Sequence, residues 1–232
     1  MYWTKNIVLL NKNYLPKIFY MKDNLYLFIS SISAYVIIAL ITIFVSENII
    51  DNVFDRRTLY DVVHHYVPQY PDPAIPDAIT LFTFFYMIVR WWNVDLKIPT
   101  VYFYSLTILM FIRLFTFTTT QTPPPRKRDD KWRIDHCKRT VLKHFGVSFL
   151  KTQETCIDNM FSGHAATLVC ALCVILLFSK NMTEKIIASI IISLTTIAII
   201  TSRMHYTSDV IVAVVLSIMA VLITKHIFFD KK

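Results

Sequence analysis

Long apolar runs alternate with polar connections along most of the chain. Residues 25–45 carry no charge, and as a helix they are long enough to cross about 30 Å of hydrocarbon. The same pattern predicts five further spans, at residues 78–94, 98–112, 165–178, 186–202 and 210–229. Because several of these runs are short, four or five spans is the alternative count. The pattern favours an all-α integral membrane protein built as a six-transmembrane-helix bundle.

The composition indicates burial in lipid rather than a water-soluble core. Apolar residues make up 55% of the 232 residues and charged residues 17%, whereas a soluble domain has about 45–50% and about 25%. The membrane domain then occupies residues 25–229, between an N-terminal segment, residues 1–24, and a short tail, residues 230–232. The lysines before the first span and the length of that span argue against a cleavable signal peptide.

The positions of the charges predict a membrane topology. With six spans, connections 1–2, 3–4 and 5–6 share one face of the membrane, and both termini lie on the other. Lysines concentrate in the terminal segments and the short connections, which is typical of a cytosolic face. The connection between spans 3 and 4 is also basic and conflicts with this orientation. We therefore assign the net charge of +8 to topology and anionic headgroups, and not to nucleic acid.

Two histidines next to apolar helices are the main candidates for catalysis. His164 opens the fourth span and His205 precedes the sixth, so parity places both on the same face of the membrane. His205 and Asp209 are four residues apart, a spacing at which the carboxylate can orient the imidazole on a helix; a helix cap is the alternative. His64 and the other histidines of the connections are expected to be solvated.

The residues around these histidines suit a phosphate group. Ser162 is placed to cap the following helix, and Gly163 lets backbone N–H groups approach an anion at the positive end of that helix. Arg113 and Arg203, each at the end of a predicted span, add cations on the same face. No cluster of side chains has the spacing of metal ligands. The set indicates phosphoryl-type transfer without a metal or another cofactor.

Four motifs follow one another between about residue 70 and residue 225. They are Pro73-x-x-Pro76-Asp77, Arg113-x-x-Thr116-x-x-Thr119-Thr120-x-x-Pro123-x-Pro125, Cys156-x-Asp158-x-x-Phe161-Ser162-Gly163-His164 and His205-Tyr206-Thr207-x-Asp209-Val210. In this order they resemble the motifs of the sphingomyelin synthases, a branch of the lipid phosphate phosphatase (PAP2) superfamily. Ile157 and Ala165 depart from that family, which has glycine and threonine at these positions.

The resemblance implies a PAP2-like bundle that acts as a ceramide cholinephosphotransferase. It implies that His205, oriented by Asp209, attacks phosphatidylcholine, while His164 protonates the departing diacylglycerol and then activates ceramide. Arg113, Arg203, Ser162 and Gly163 are expected to contact the phosphate, with Asp158 in a supporting role. The implied location is the Golgi or plasma membrane, with the site on the lumenal or extracellular face and the termini in the cytosol.

Three other functions are open at this stage. The first is an ethanolamine- or inositol-phosphoceramide synthase, which differs only in the donor headgroup. The second is a lipid phosphate phosphatase with water as the acceptor, although the two-residue spacing of Arg203 and His205 fits the synthase branch better. The third is a non-catalytic transporter or scaffold, for which we expect charges or helix breaks at mid-span.

Overall fold

A computed structural model describes residues 24–45, 58–70, 74–120, 122–123, 125 and 161–230. These residues form seven α-helices and contain no strand. The helices are α1 (Asn24–Val45), α2 (Val62–Tyr66), α3 (Ala74–Trp91), α4 (Lys97–Thr119), α5 (Gly163–Phe178), α6 (Met182–Thr201) and α7 (Thr207–Lys225). A π-helical turn, His226–Asp230, continues α7. The predicted all-α membrane fold is confirmed.

Five of the helices are long and apolar enough to cross a membrane, namely α1, α3, α4, α6 and α7. The remaining predicted span is α5, which has 16 residues and a length of only about 24 Å. It lies at the centre of the bundle, in contact with α3, α4, α6 and α7. Small residues at its start, among them Ala165 and Ala166, are buried and allow the neighbouring helices to approach closely.

Several helix boundaries differ from the predicted ones, and two of the differences move Asp77 and Arg113 into helices. α3 begins at Ala74, so Asp77 lies in its first turn rather than in the preceding connection. α4 continues to Thr119, so Arg113 lies inside the helix rather than at its end. Threonine hydroxyls between residues 116 and 119 donate to carbonyls of the preceding turn. These hydroxyls are thus paired within α4 where the helix continues beyond its apolar run.

A polar cluster joins α3 to α6 at the end of the bundle opposite to His164. The carboxylate of Glu184 accepts from Nε and Nη2 of Arg90, at 2.9 and 3.1 Å. The hydroxyls of Tyr86 and Ser179 donate to the same carboxylate. Because Ser179 is also the C-cap of α5, this cluster fixes three helices at the end that lacks the histidines.

Candidate active site

His164 and His205 lie next to each other at one end of the bundle. His164 is in the first turn of α5, and His205 is in the connection between α6 and α7. Their ring centroids are 6.1 Å apart, and the ring planes make an angle of 56°. His205 is 5% exposed, and the His164 side chain is 15% exposed. Among the described residues, the buried Nδ1 atom of each ring has no hydrogen-bond partner.

Arg113 brings a buried cation to the start of α5. Its guanidinium lies against Gly163, where an added Cβ would be 1.8 Å from Nη1 and 3.0 Å from Cζ. Gly163 has no positive φ, so the close approach of Arg113, and not the backbone conformation, requires a glycine. The sequence predicted this glycine for a different purpose, the access of an anion to backbone N–H groups. In the structure it gives room to the arginine that is expected to bind the anion.

Ser162 caps α5, as predicted. Its Oγ accepts from the N–H of Ala165 at 3.1 Å, and the residue is completely buried. The residue before it, Phe161, is buried and has a left-handed φ of 53°, and Arg203 has a φ of 58°. Left-handed backbone costs a non-glycine residue roughly 1–2 kcal/mol and persists where the surroundings enforce it. The connections that lead to both histidines are therefore held by tertiary contacts.

Asp209 joins the starts of α5 and α7. Its Oδ2 accepts from the N–H of Tyr206 at 3.2 Å, and the backbone of Phe161 is a further partner of the carboxylate. Its carbonyl accepts from the N–H of Ser162 at 3.2 Å. Within the described residues the carboxylate does not contact the ring of His205, contrary to the expected orienting contact. The reason is that α7 begins at Thr207, so His205 lies outside the helical register and Asp209 acts as the cap.

Asp77, and not Asp209, places its carboxylate beside one of the two site histidines. Its Oδ1 is 2.9 Å from Nε2 of His164, and the side chain is 11% exposed. The sequence reasoning missed this pair because it placed Asp77 at the end of a connection. No local signal marked the pair, because the packing of α3 on α5 brings the two residues together.

Residues 58–70, here called the covering segment, are fastened to the ends of α6 and α7. Asp61 caps α2 through the N–H of His64 at 3.1 Å. It also accepts from the N–H and the hydroxyl of Thr207, at 2.7 and 2.9 Å. Nη2 of Arg203 donates to the carbonyl of His64 at 2.6 Å. Arg203 was expected to bind the phosphate, but its side chain holds the covering segment. His64 was expected to be solvated, but it is buried, and its Nε2 is 3.0 Å from the carbonyl of Ile200.

The site keeps His205 neutral. Burial, followed by the nearby charge of Arg113 and the proximity of His164, lowers the pKa of His205 well below its usual value. A neutral imidazole has a lone pair that can attack an electrophile. Among the described residues, no group of three or more His, Cys, Asp or Glu side chains is arranged to hold a metal ion.

The structure brings together four of the residues predicted from the sequence, His164, His205, Arg113 and Gly163. Asp158 lies outside the described residues. The resulting arrangement contains a neutral imidazole, a second imidazole beside it and a buried cation. These groups suit phosphoryl transfer through a covalent intermediate.

Comparison with known proteins agrees with this arrangement. Residues 155–227, less than half of the chain, match the family model described as PAP2 superfamily C-terminal. The matched region contains α5, α6, α7 and both histidines. No curated protein was found to match the chain. The match supports the PAP2 superfamily for this region, and with it a lipid phosphatase or phosphotransferase type of function in a multi-pass membrane protein.

Proposed function

We propose that the protein transfers phosphocholine from phosphatidylcholine to ceramide, giving sphingomyelin and diacylglycerol. The observation that carries the proposal is the pair of histidine rings, 6.1 Å apart, beside a buried arginine. The PAP2 match of the region that contains both histidines supports phosphoryl chemistry on a lipid. The four motifs that resemble those of the sphingomyelin synthases supply the choice of donor and acceptor.

In the first half-reaction, a ring nitrogen of neutral His205 attacks the phosphorus of phosphatidylcholine. The P–N bond forms as the P–O bond to diacylglycerol breaks, and protonated His164 gives its proton to the departing oxygen. Arg113, the charged neighbour of His205, stabilises the negative charge that develops on the phosphate oxygens. The products of this step are diacylglycerol, a phosphocholine–histidine intermediate and neutral His164.

In the second half-reaction, the primary hydroxyl of ceramide is the nucleophile. His164 accepts the hydroxyl proton while the oxygen attacks the phosphorus held on His205. The P–O bond to ceramide forms and the P–N bond breaks. Both histidines return to their original protonation states, so the cycle consumes no further reactant.

Three of the predicted site residues act in this proposal by positioning other groups. Each makes a hydrogen bond from its side chain to a backbone group, and these residues are Asp209, Ser162 and Arg203. The bonds fix the segments that contain the two histidines. Asp158 stays a supporting candidate. We place the site on the lumenal or extracellular face of the Golgi or plasma membrane, with the termini in the cytosol, as the resemblance implies.

The test uses the purified protein in liposomes that contain fluorescent ceramide and one phospholipid donor at a time. We expect fluorescent sphingomyelin with phosphatidylcholine, and no product from His205→Ala. His65→Ala is the matched control, because His65 is exposed on the covering segment and its loss should leave the rate unchanged.

Each other result points to a different function. A product formed only with phosphatidylethanolamine or phosphatidylinositol would reject the choline headgroup and keep the two-histidine mechanism. Release of free phosphocholine and diacylglycerol without a ceramide product would indicate a hydrolase that uses water as the acceptor. Full activity after loss of either histidine would reject the proposed mechanism altogether.

A further inference from the structure

We propose that Asp77 is a positioning residue for His164, and that Nδ1 of His164 exchanges the proton with the lipid oxygen. The inference deepens the proposed function and rests on it. Two observations carry it. Oδ1 of Asp77 is 2.9 Å from Nε2 of His164 as an ion-pair contact that lacks hydrogen-bond geometry, and among the described residues Nδ1 of His164 is buried without a hydrogen-bond partner.

The contact is set by packing between helices rather than by the local sequence. Asp77 is in the first turn of α3 and His164 is in the first turn of α5, and these two helices pack against each other. Both side chains are largely buried, 11% and 15% exposed, so solvent and salt screen their interaction weakly. Two other groups face His164, Arg113 from α4 beside Gly163 and His205 from the α6–α7 connection.

The carboxylate decides which nitrogen of His164 is available. An oxygen anion beside Nε2 favours the tautomer with the proton on Nε2, which leaves the lone pair on Nδ1. In the second half-reaction this lone pair accepts the proton of ceramide. In the first half-reaction the same carboxylate holds the ring of His164 in place while Nδ1 gives its proton to the departing oxygen. Asp77 therefore supports His164 in both of its protonation states.

The experiment compares two donors in a double-mutant cycle. With phosphatidylcholine, Asp77→Asn should lower kcat about 100-fold, within the range that general acid–base catalysis contributes, with little change in KM. With an activated phosphocholine ester, whose leaving group needs little protonation, release of that group should fall by less than about 10-fold. His164→Ala should show the same dependence on the donor, and Asp77→Asn should add no further loss in that background.

Asp95→Asn is the matched control. Oδ1 of Asp95 accepts from the N–H of Lys97 at 3.0 Å, at the opposite end of α3. Asparagine caps a helix about as well as aspartate, so this variant should keep the wild-type rates with both donors. Thermal unfolding in detergent checks that each variant is folded.

A second measurement uses the unmutated protein and does not depend on the folding of a variant. The ¹⁵N chemical shifts of labelled histidine, assigned to His164 by its replacement, should show the proton on Nε2 in the neutral ring. The Nδ1–H tautomer would overturn the inference. An equal loss of rate with both donors in Asp77→Asn would also overturn it. A further loss of rate when Asp77→Asn is added to His164→Ala would do the same. If the wild type is active and Asp77→Asn has the same rates, this inference alone is overturned. If the wild type is inactive on every donor, the proposed function is overturned and this inference with it.

Discussion

The variant Gly163→Ala should displace the guanidinium of Arg113 without lowering the stability of the fold. The new Cβ would lie 1.8 Å from Nη1 of Arg113, whereas non-bonded atoms are in favourable contact at about 3.5 Å. The guanidinium must therefore move by roughly 1.5 Å. Because it is the end of a flexible side chain, the backbone can stay in place, and alanine favours a helix over glycine by about 0.5–1 kcal/mol. We expect an unfolding temperature equal to or slightly above that of the wild type.

The same displacement should disable the site. A misplacement of about 1 Å in a positioned group can lower a rate about 100-fold, and we expect a loss of this size in kcat for transfer to ceramide. In an Arg113→Ala background the guanidinium is already absent, so Gly163→Ala should add little. The assay is headgroup transfer in liposomes by the wild type, the two single variants and the double variant, with thermal unfolding of each.

Two results would refute this reasoning. Wild-type activity in Gly163→Ala would mean that the position of Arg113 is not critical. An equal loss of activity with and without Arg113 would mean that the glycine serves the substrate directly, as the sequence alone suggested, through access to the backbone at the start of α5.

The remaining predictions concern pH, metal, stability and topology. The unfolded chain binds a proton at His205 below a pH of about 6.5, whereas the folded chain keeps this residue neutral. The free energy of unfolding should therefore fall as the pH falls below that value. This fall should be smaller in the variant His205→Gln. Denaturant titration at a series of pH values measures both. Transfer should survive a strong chelator, and a loss that a divalent ion restores would contradict the arginine-based mechanism. Glu184→Gln should lower the free energy of unfolding by about 1–3 kcal/mol, since its arginine partner loses a charged acceptor, without lowering the transfer rate. In a cysteine-free background, Thr120→Cys and Lys180→Cys should react with an impermeant maleimide from opposite sides of sealed vesicles, and labelling from one side would contradict the bundle's orientation.

The membrane fold was predictable because lipid imposes a simple rule on the sequence. A helix that contacts hydrocarbon needs an apolar run of sufficient length, and such runs are visible without knowledge of tertiary contacts. The two histidines were predictable for a related reason. A polar residue next to an apolar helix stands out, and counting the spans places His164 and His205 on the same face before any packing is known.

The partners of the histidines were harder to predict. The spacing of His205 and Asp209 suggested a contact only if both residues lay on one helix, and Asp209 itself sets the start of α7 two residues too late for that. Asp77 and His164 are far apart in the chain, and only the packing of α3 on α5 brings them together. The large space that Arg113 needs beside Gly163 likewise depends on how α4 crosses α5. Contacts between helices therefore set the surroundings of the histidines, which local patterns left open.

His164 lies in the first turn of α5, His205 lies in the connection between α6 and α7, and Arg113 lies within about two turns of the end of α4. In the proposed reaction a phospholipid presents its headgroup to these side chains while its acyl chains stay among their neighbours, so that no lipid needs to leave the membrane to react. The encounter takes place in two dimensions. For such an enzyme the effective substrate concentration is the mole fraction of the lipid in the membrane. Adding inert lipid to the vesicles should slow the reaction, whereas diluting the vesicles in buffer should leave the rate per enzyme unchanged.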